Sequence, residues 1–128
     1  MKFSQEDTTD VHSIKSYDTS SIVIQSADKS GLTTLTTPFI LSTDQLITVW
    51  PINNILDFNS DDVKYFKVLD IEVLIIGQVI VTRLTGPTLV KFSEQGIGIE
   101  QMPIGAACRT YNLLISEGRR VALVINFD

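Results

Sequence analysis

Residues 96–122 read GIGIEQMPIGAACRTYNLLISEGRRVA, and the grammar of this stretch decides the fold. Ile97 to Glu100 is a short β-prone run behind a glycine. Gly105 to Glu117 carries helical periodicity and is closed by Gly118, the residue type that most readily ends a helix in the left-handed region. Val121 to Phe127 is apolar and β-branched again, as a strand buried on both faces would be. Strand, helix and strand in succession argue for parallel pairing through right-handed crossovers.

An advance of 100° per residue divides the helix into two faces. Ala107, Tyr111, Leu114 and Ile115 collect on one side, with Cys108 at its edge. Arg109, Asn112 and Ser116 fall together on the other. The small residues Ala106 and Ala107 allow the helix start to lie close to a strand. The polar stripe has two readings. It is either the solvated back of a core helix or the lining of a crevice at the helix N-terminus. Backbone N–H groups favour anions there, and open α/β sheets bind ligands beyond the carboxyl ends of their strands.

Cys108 invites a nucleophile reading, because a helix start and a neighbouring arginine both stabilise a thiolate. A nucleophile also needs a base. The single histidine, His12, falls in the N-terminal stretch expected to fray, and a cysteine beside an apolar face behaves mostly as a small hydrophobe. One cysteine and one histidine do not make a metal site, so no metal or other cofactor is expected.

Working outward, Asn59 or Ser60 caps a helix with Asp61 and Asp62 in its first turn, and Val63, Phe66 and Leu69 recur at helical spacing. Ile71 to Ile76 is a nearly all-apolar strand. Pro87 suits a first helical turn, Leu89, Val90 and Phe92 give that helix a buried face, and Gly96 stops it. Upstream the grammar is purely β: Ile14 to Tyr17, then Ile22 to Ile24 across the Asp18–Ser21 turn, Leu32 to Leu35, Phe39 to Leu41, and Leu46 to Val49 ending at Trp50-Pro51. Pro38 belongs at a strand start or an edge. Residues 1–11 are polar, acidic and unpatterned, and read as a frayed tail before one domain over 12–128. The fold class is therefore α/β (α+β): a single compact domain with a central mixed sheet, a β-meander first half and a β-α-β-α-β second half.

The chain's 128 residues suffice for one core. Its net charge of −5, with no cationic stripe beyond Arg119-Arg120, argues against a nucleic-acid partner. Glu117, Arg119 and Arg120 read as helix-end ion pairs or the edge of a partner surface. No apolar run reaches the length of a membrane helix, and no export signal is evident, so a cytoplasmic location is expected.

Three segments together resemble a known family: Ala-Ala-Cys-Arg-Thr-Tyr-Asn-Leu-Leu (106–114), Ser-Glu-Gly-Arg-Arg-Val-Ala (116–122) and Gly-Ile-Gly-Ile-Glu (96–100). It is the domain of unknown function shared by mitochondrial complex I assembly factor 3, the adipogenesis-associated cytosolic protein and many small bacterial proteins. The resemblance continues through Glu72–Gly77, Trp50-Pro51 and Ser16-Tyr17, and spans about residues 12–126. It implies a compact α/β domain with no established enzymatic activity, in a family whose best-described members act as assembly or interaction factors. Two loops depart from the pattern. Where the family runs Thr-Gly and polar or basic residues, this chain has Gln78-Val79-Ile80-Val81-Thr82. Where the family has Met-Asp-Thr, it has Met102-Pro103-Ile104.

Both loops should flank the start of the Cys108-Arg109 helix. Val79 to Val81 either extends its strand in the interior or forms an apolar patch that docks a protein. The candidate ligand or partner crevice comprises Gly77, Gln78, Val79, Met102, Cys108, Arg109, Asn112 and Ser116. The expected function is a non-catalytic, protein-binding or assembly-factor-like domain, with respiratory complex assembly as the link the resemblance implies; a third reading makes self-association the main use of the apolar loop. The alternative is a small anionic-ligand domain or cryptic enzyme using Arg109 and Cys108.

Overall fold

The computed structural model describes residues 11–49 and 58–127. Trp50-Pro51 and all but the last residue of the polar N-terminal stretch lie outside them. In chain order the elements are β1 (Ser13–Tyr17), β2 (Ile22–Gln25), β3 (Leu32–Leu35), β4 (Phe39–Ser42), β5 (Leu46–Ile47), α1 (Ser60–Val68), β6 (Val73–Gln78), α2 (Gly86–Ser93), β7 (Gly98–Pro103), α3 (Ile104–Ser116) and β8 (Val121–Asn126).

Strands β1, β2 and β3 form a small antiparallel meander. The Asp18 carboxylate makes the first turn by accepting the amides of Ser20 and Ser21, which holds its pKa below the usual aspartate value. The β4–β5 hairpin leaves the meander and joins the second half in a mixed sheet of order β5-β4-β8-β6-β7. There β6 runs parallel to both β7 and β8, and β4 pairs antiparallel with β8. Pro38 immediately precedes β4, where its missing donor costs no ladder bond.

The central strands are apolar throughout because both faces of the large sheet are covered. On one face, Phe39, Leu41, Ile75, Leu123 and Ile125 pack beneath α3 and the isoleucines of the small sheet. On the other, Ile40, Leu74, Ile76 and Val124 meet Val63 and Phe66 of α1 and Phe92 of α2. Phe58, Phe66 and Phe92 close that layer with ring centroids 5.4–5.8 Å apart, mostly edge to face.

The caps follow the sequence. Asn59 and Asp62 form a reciprocal capping box on α1, and Thr85 caps α2. Gly96 and Gly118 end α2 and α3 at φ of 78° and 75°.

Four expectations need correction. β6 begins at Val73 rather than Ile71, whose side chain is buried just ahead of the strand. β5 stops at Ile47, two residues short of Val49. In α2 the buried pair is Thr88 and Phe92, spaced i, i+4, while Leu89 and Val90 are exposed; a helix over a sheet margin buries only a narrow stripe. Finally, β6 ends at Gln78, and the following residues neither extend it nor sink into the core.

Candidate functional site

The carboxyl ends of β6 and β7 lie side by side, with Gly77 opposite Met102 and Gln78 opposite Pro103. α3 starts at once from Ile104 and returns across the sheet. Its approach explains Gly77: a Cβ there would sit 2.7 Å from Ile125 Cδ1 and 2.8 Å from Ala107 Cβ. Those distances fall well inside van der Waals contact, so the glycine and the small helix residue are one fitted pair.

Cys108 points into the core between α3 and the sheet and is wholly buried. Burial pushes its thiol up to about 12, and the charge on Arg109 offsets only part of that. At neutral pH the sulfur is a protonated, enclosed hydrophobe. It lacks the exposure and thiolate character a nucleophile requires.

Two members of the polar stripe of α3, Asn112 and the exposed Arg109, bond to the chain's own first strand. The Asn112 side chain behaves like a neighbouring strand: Oδ1 accepts the Ile14 amide and Nδ2 donates to the Ile14 carbonyl, each at 2.9 Å. Tyr111 donates its hydroxyl to the His12 carbonyl at 2.8 Å. Burial, reinforced by the Asp44 charge, pushes the Tyr111 phenol above its ordinary value. Arg109 Nη1 donates to the Tyr17 hydroxyl at 2.7 Å, with its guanidinium carbon 6.0 Å from the Tyr17 ring centroid. Gly105 leaves room for this, since a Cβ there would lie 3.2 Å from the Tyr17 ring and 3.3 Å from Arg109 Nη1.

Two readings are thereby corrected. Asn112 does not face a crevice, because its amide completes the backbone bonding of β1. His12 is not frayed: its amide donates to the Thr43 carbonyl, and its Nδ1 accepts the Ala27 amide. Ser116 is exposed and donates to the Leu113 carbonyl one turn earlier. Met102 lies against α3, where its sulfur accepts the Thr110 hydroxyl at 3.4 Å.

The other rim is different. Gln78 is buried at the end of β6 and accepts from the Gln101 amide at 3.2 Å. Gln101 also donates to the Thr82 carbonyl at 2.7 Å and accepts the Leu84 amide at 2.9 Å. One side chain therefore pins the loop leading into α2. The turn raised by this loop carries Val79 and Ile80 into solvent, 42% and 76% exposed. Gln101 escaped the sequence reading; its one signal is a long polar side chain set between Ile99 and Met102.

Beyond the opposite end of the strands, Arg119 and Arg120 pair with Glu72 and Asp70 at 3.3 and 2.8 Å. The Arg120 amide, first, and the Arg119 side chain hold the Glu72 carboxyl below its ordinary value. Among the described residues no three His, Cys, Asp or Glu side chains gather as metal ligands. Nor is any helix among them long and apolar enough to cross a membrane.

These features define a small mixed α/β domain whose signature helix binds its own first strand and whose strand ends present an apolar turn. The chain belongs to the family described as a protein of unknown function (DUF498/DUF598), whose profile matches residues 14–126. It is 30% identical over 82 residues to NADH dehydrogenase (ubiquinone) 1 alpha subcomplex assembly factor 3 of Xenopus tropicalis, a match covering 62% of this chain and 45% of that protein. The chain thus spans less than half of that relative's length. A solved Xanthomonas campestris protein superposes with a TM-score of 0.73 at 29% identity, covering 89% of this chain and 83% of the other. A crystal structure from Bordetella parapertussis shares the fold, with a TM-score of 0.74 at 23% identity over 92% and 97% of the two chains.

Proposed function

We propose that this domain is a non-catalytic binding unit that helps assemble a larger protein complex, acting in the cytoplasm. The single observation that carries the reading is the Val79–Ile80 turn. Two adjacent branched apolar side chains stand in water on a loop fixed by the three hydrogen bonds of Gln101. A floppy apolar loop loses much conformational entropy on docking; one already held by hydrogen bonds loses less, which favours a partner. Kinship with a complex I assembly factor supports the same reading.

A small-molecule or enzymatic use of Arg109 and Cys108 has less behind it, since the guanidinium is engaged with Tyr17 and the sulfur is enclosed. Native pull-down with mass spectrometry, comparing wild type with Val79→Asp/Ile80→Asp, tests the proposal. The wild type should recover a stoichiometric partner that the double variant loses while its circular dichroism is unchanged. Recovery of the same proteins by both, or of the bait alone by the wild type, would defeat it. Concentration-dependent sedimentation that vanishes in the double variant would instead assign the turn to self-association.

A further inference from the structure

On the face of the sheet away from α3, an open groove of about 440 Å³ runs along α1 and the end of α2. Val63 forms its apolar floor and Val68, 81% exposed, its apolar lip. Lys64 and Lys67 rise from α1, and Lys91 faces them from α2. Glu94 is the one acid in the lining.

Three features of this groove bear on what it could hold. Three of the ten cations of a protein with net charge −5 surround one cavity. None of the three forms an ion pair among the described residues, where the paired cations are Arg119 and Arg120. Among the described residues Lys67 donates to the Gln95 carbonyl, at 3.1 Å. Lys64 and Lys67 also stand i, i+3 on one helix, an arrangement that is unfavourable for like charges unless a counter-charge arrives. Of the acids in the first turn of α1, Asp62 is already committed to Asn59.

We propose that this groove receives an acidic amphipathic helix supplied by a protein partner, with an apolar side chain between Val63 and Val68 and carboxylates on Lys64, Lys67 and Lys91. Charge complementarity selects the sign of the occupant, and the apolar floor selects against a purely ionic one. An isolated phosphate would meet only solvated lysine heads, where a single ion pair gains little. Duplex nucleic acid would bring dense phosphate against an acidic surface with too few cations to release its counterions. An amphipathic helix uses both features at once, in the mode by which such helices lie in grooves. The groove lies away from the Val79–Ile80 turn, and the proposal stands without that reading.

The test is selection of a random phage-displayed library, with peptides of about 16 residues or four helical turns, against the whole chain. The selected sequences should be rich in Asp and Glu, with apolar residues three and four apart. Binding of the winning peptide, followed by fluorescence anisotropy, should weaken at least about tenfold in the K64E/K67E/K91E variant and with rising salt. Val68→Asp should weaken it severalfold, while V79D/I80D leaves it unchanged. All substituted side chains are exposed, and circular dichroism checks that the fold is retained. No consensus, a basic or purely apolar consensus, or binding indifferent to the triple variant would overturn the assignment. So would equal competition by a scrambled peptide of the same composition, which would leave charge alone as the cause.

Discussion

The two helical layers of the large sheet handle their polar side chains in opposite ways. On the α3 layer, Arg109, Tyr111 and Asn112 all bond to the first strand and its approach, through hydrogen bonds of 2.7–2.9 Å to Tyr17, His12 and Ile14, the Arg109 bond lying at the exposed surface. On the α1–α2 layer, Lys64, Lys67 and Lys91 meet no carboxylate among the described residues. A helical wheel draws the two stripes alike. The difference lies in what the rest of the chain brings to each, so polarity on one face of a helix does not by itself mark a binding surface.

The sharpest way to break the comparison is alkaline pH. Both Cys108 and Tyr111 lie in the α3 layer and have folded pKa values raised above their ordinary ones by burial. Their neutral forms are favoured by folding, so that stability is fully present below about pH 9 and is lost as pH rises towards 12. Each pH unit above the unfolded value removes about 1.4 kcal/mol per group. Urea midpoints measured at pH 8, 10 and 11 should fall steeply, and less steeply in Cys108→Ala and Tyr111→Phe. An unchanged slope in both variants would mean the layer is not closed to solvent.

Next in size is Asn112→Ala, which strands the amide and carbonyl of Ile14 at a partly buried site. A loss of about 2–4 kcal/mol is expected, with early hydrogen exchange at β1. If β1 stays protected and the melt is unmoved, Asn112 is a bystander. Gly77→Ala comes third at about 1–3 kcal/mol, because the added methyl must displace Ile125 or Ala107. A thermal melt within error of wild type would show that α3 shifts freely. At near-neutral pH, Tyr111→Phe should cost about 1 kcal/mol for the His12 carbonyl it leaves unpaired.

The smallest effect is on the other layer. K64E/K67E/K91E should change stability by no more than about 0.5 kcal/mol in either direction, as exposed positions do. A large loss would mean that the lysines hold the helices together, and the contrast between the layers would collapse.

Local features were legible in the sequence: the Asn59 cap, Pro87 in the first turn of α2, the glycine stops at 96 and 118, the apolar β6 and β8, and the parallel grammar. Each depends on residues within a turn or two of one another. What was illegible depends on distance along the chain. Asn112 and Ile14 are 98 residues apart, and nothing near either announces the other. The same holds for His12, which a local reading leaves loose and Tyr111 and Ala27 tether. Gln101 was missed because its partners assemble only once β7 lies beside β6. Leu89 and Val90 misled because their periodicity is sound but the helix sits over a margin of the sheet, where half of an apolar face has nothing to cover.

The clasp between Asn112 and Ile14, together with the pairing of β4 to β8, also sets the order of events during synthesis. Residues 13–17 leave the ribosome long before the helix that completes their backbone bonding, and Phe39 to Ser42 wait for Val121 to Asn126. A nascent chain halted just after β7 therefore carries β1, β4 and β6 each short of one partner and an uncovered apolar sheet, the state in which aggregation or a chaperone would find it.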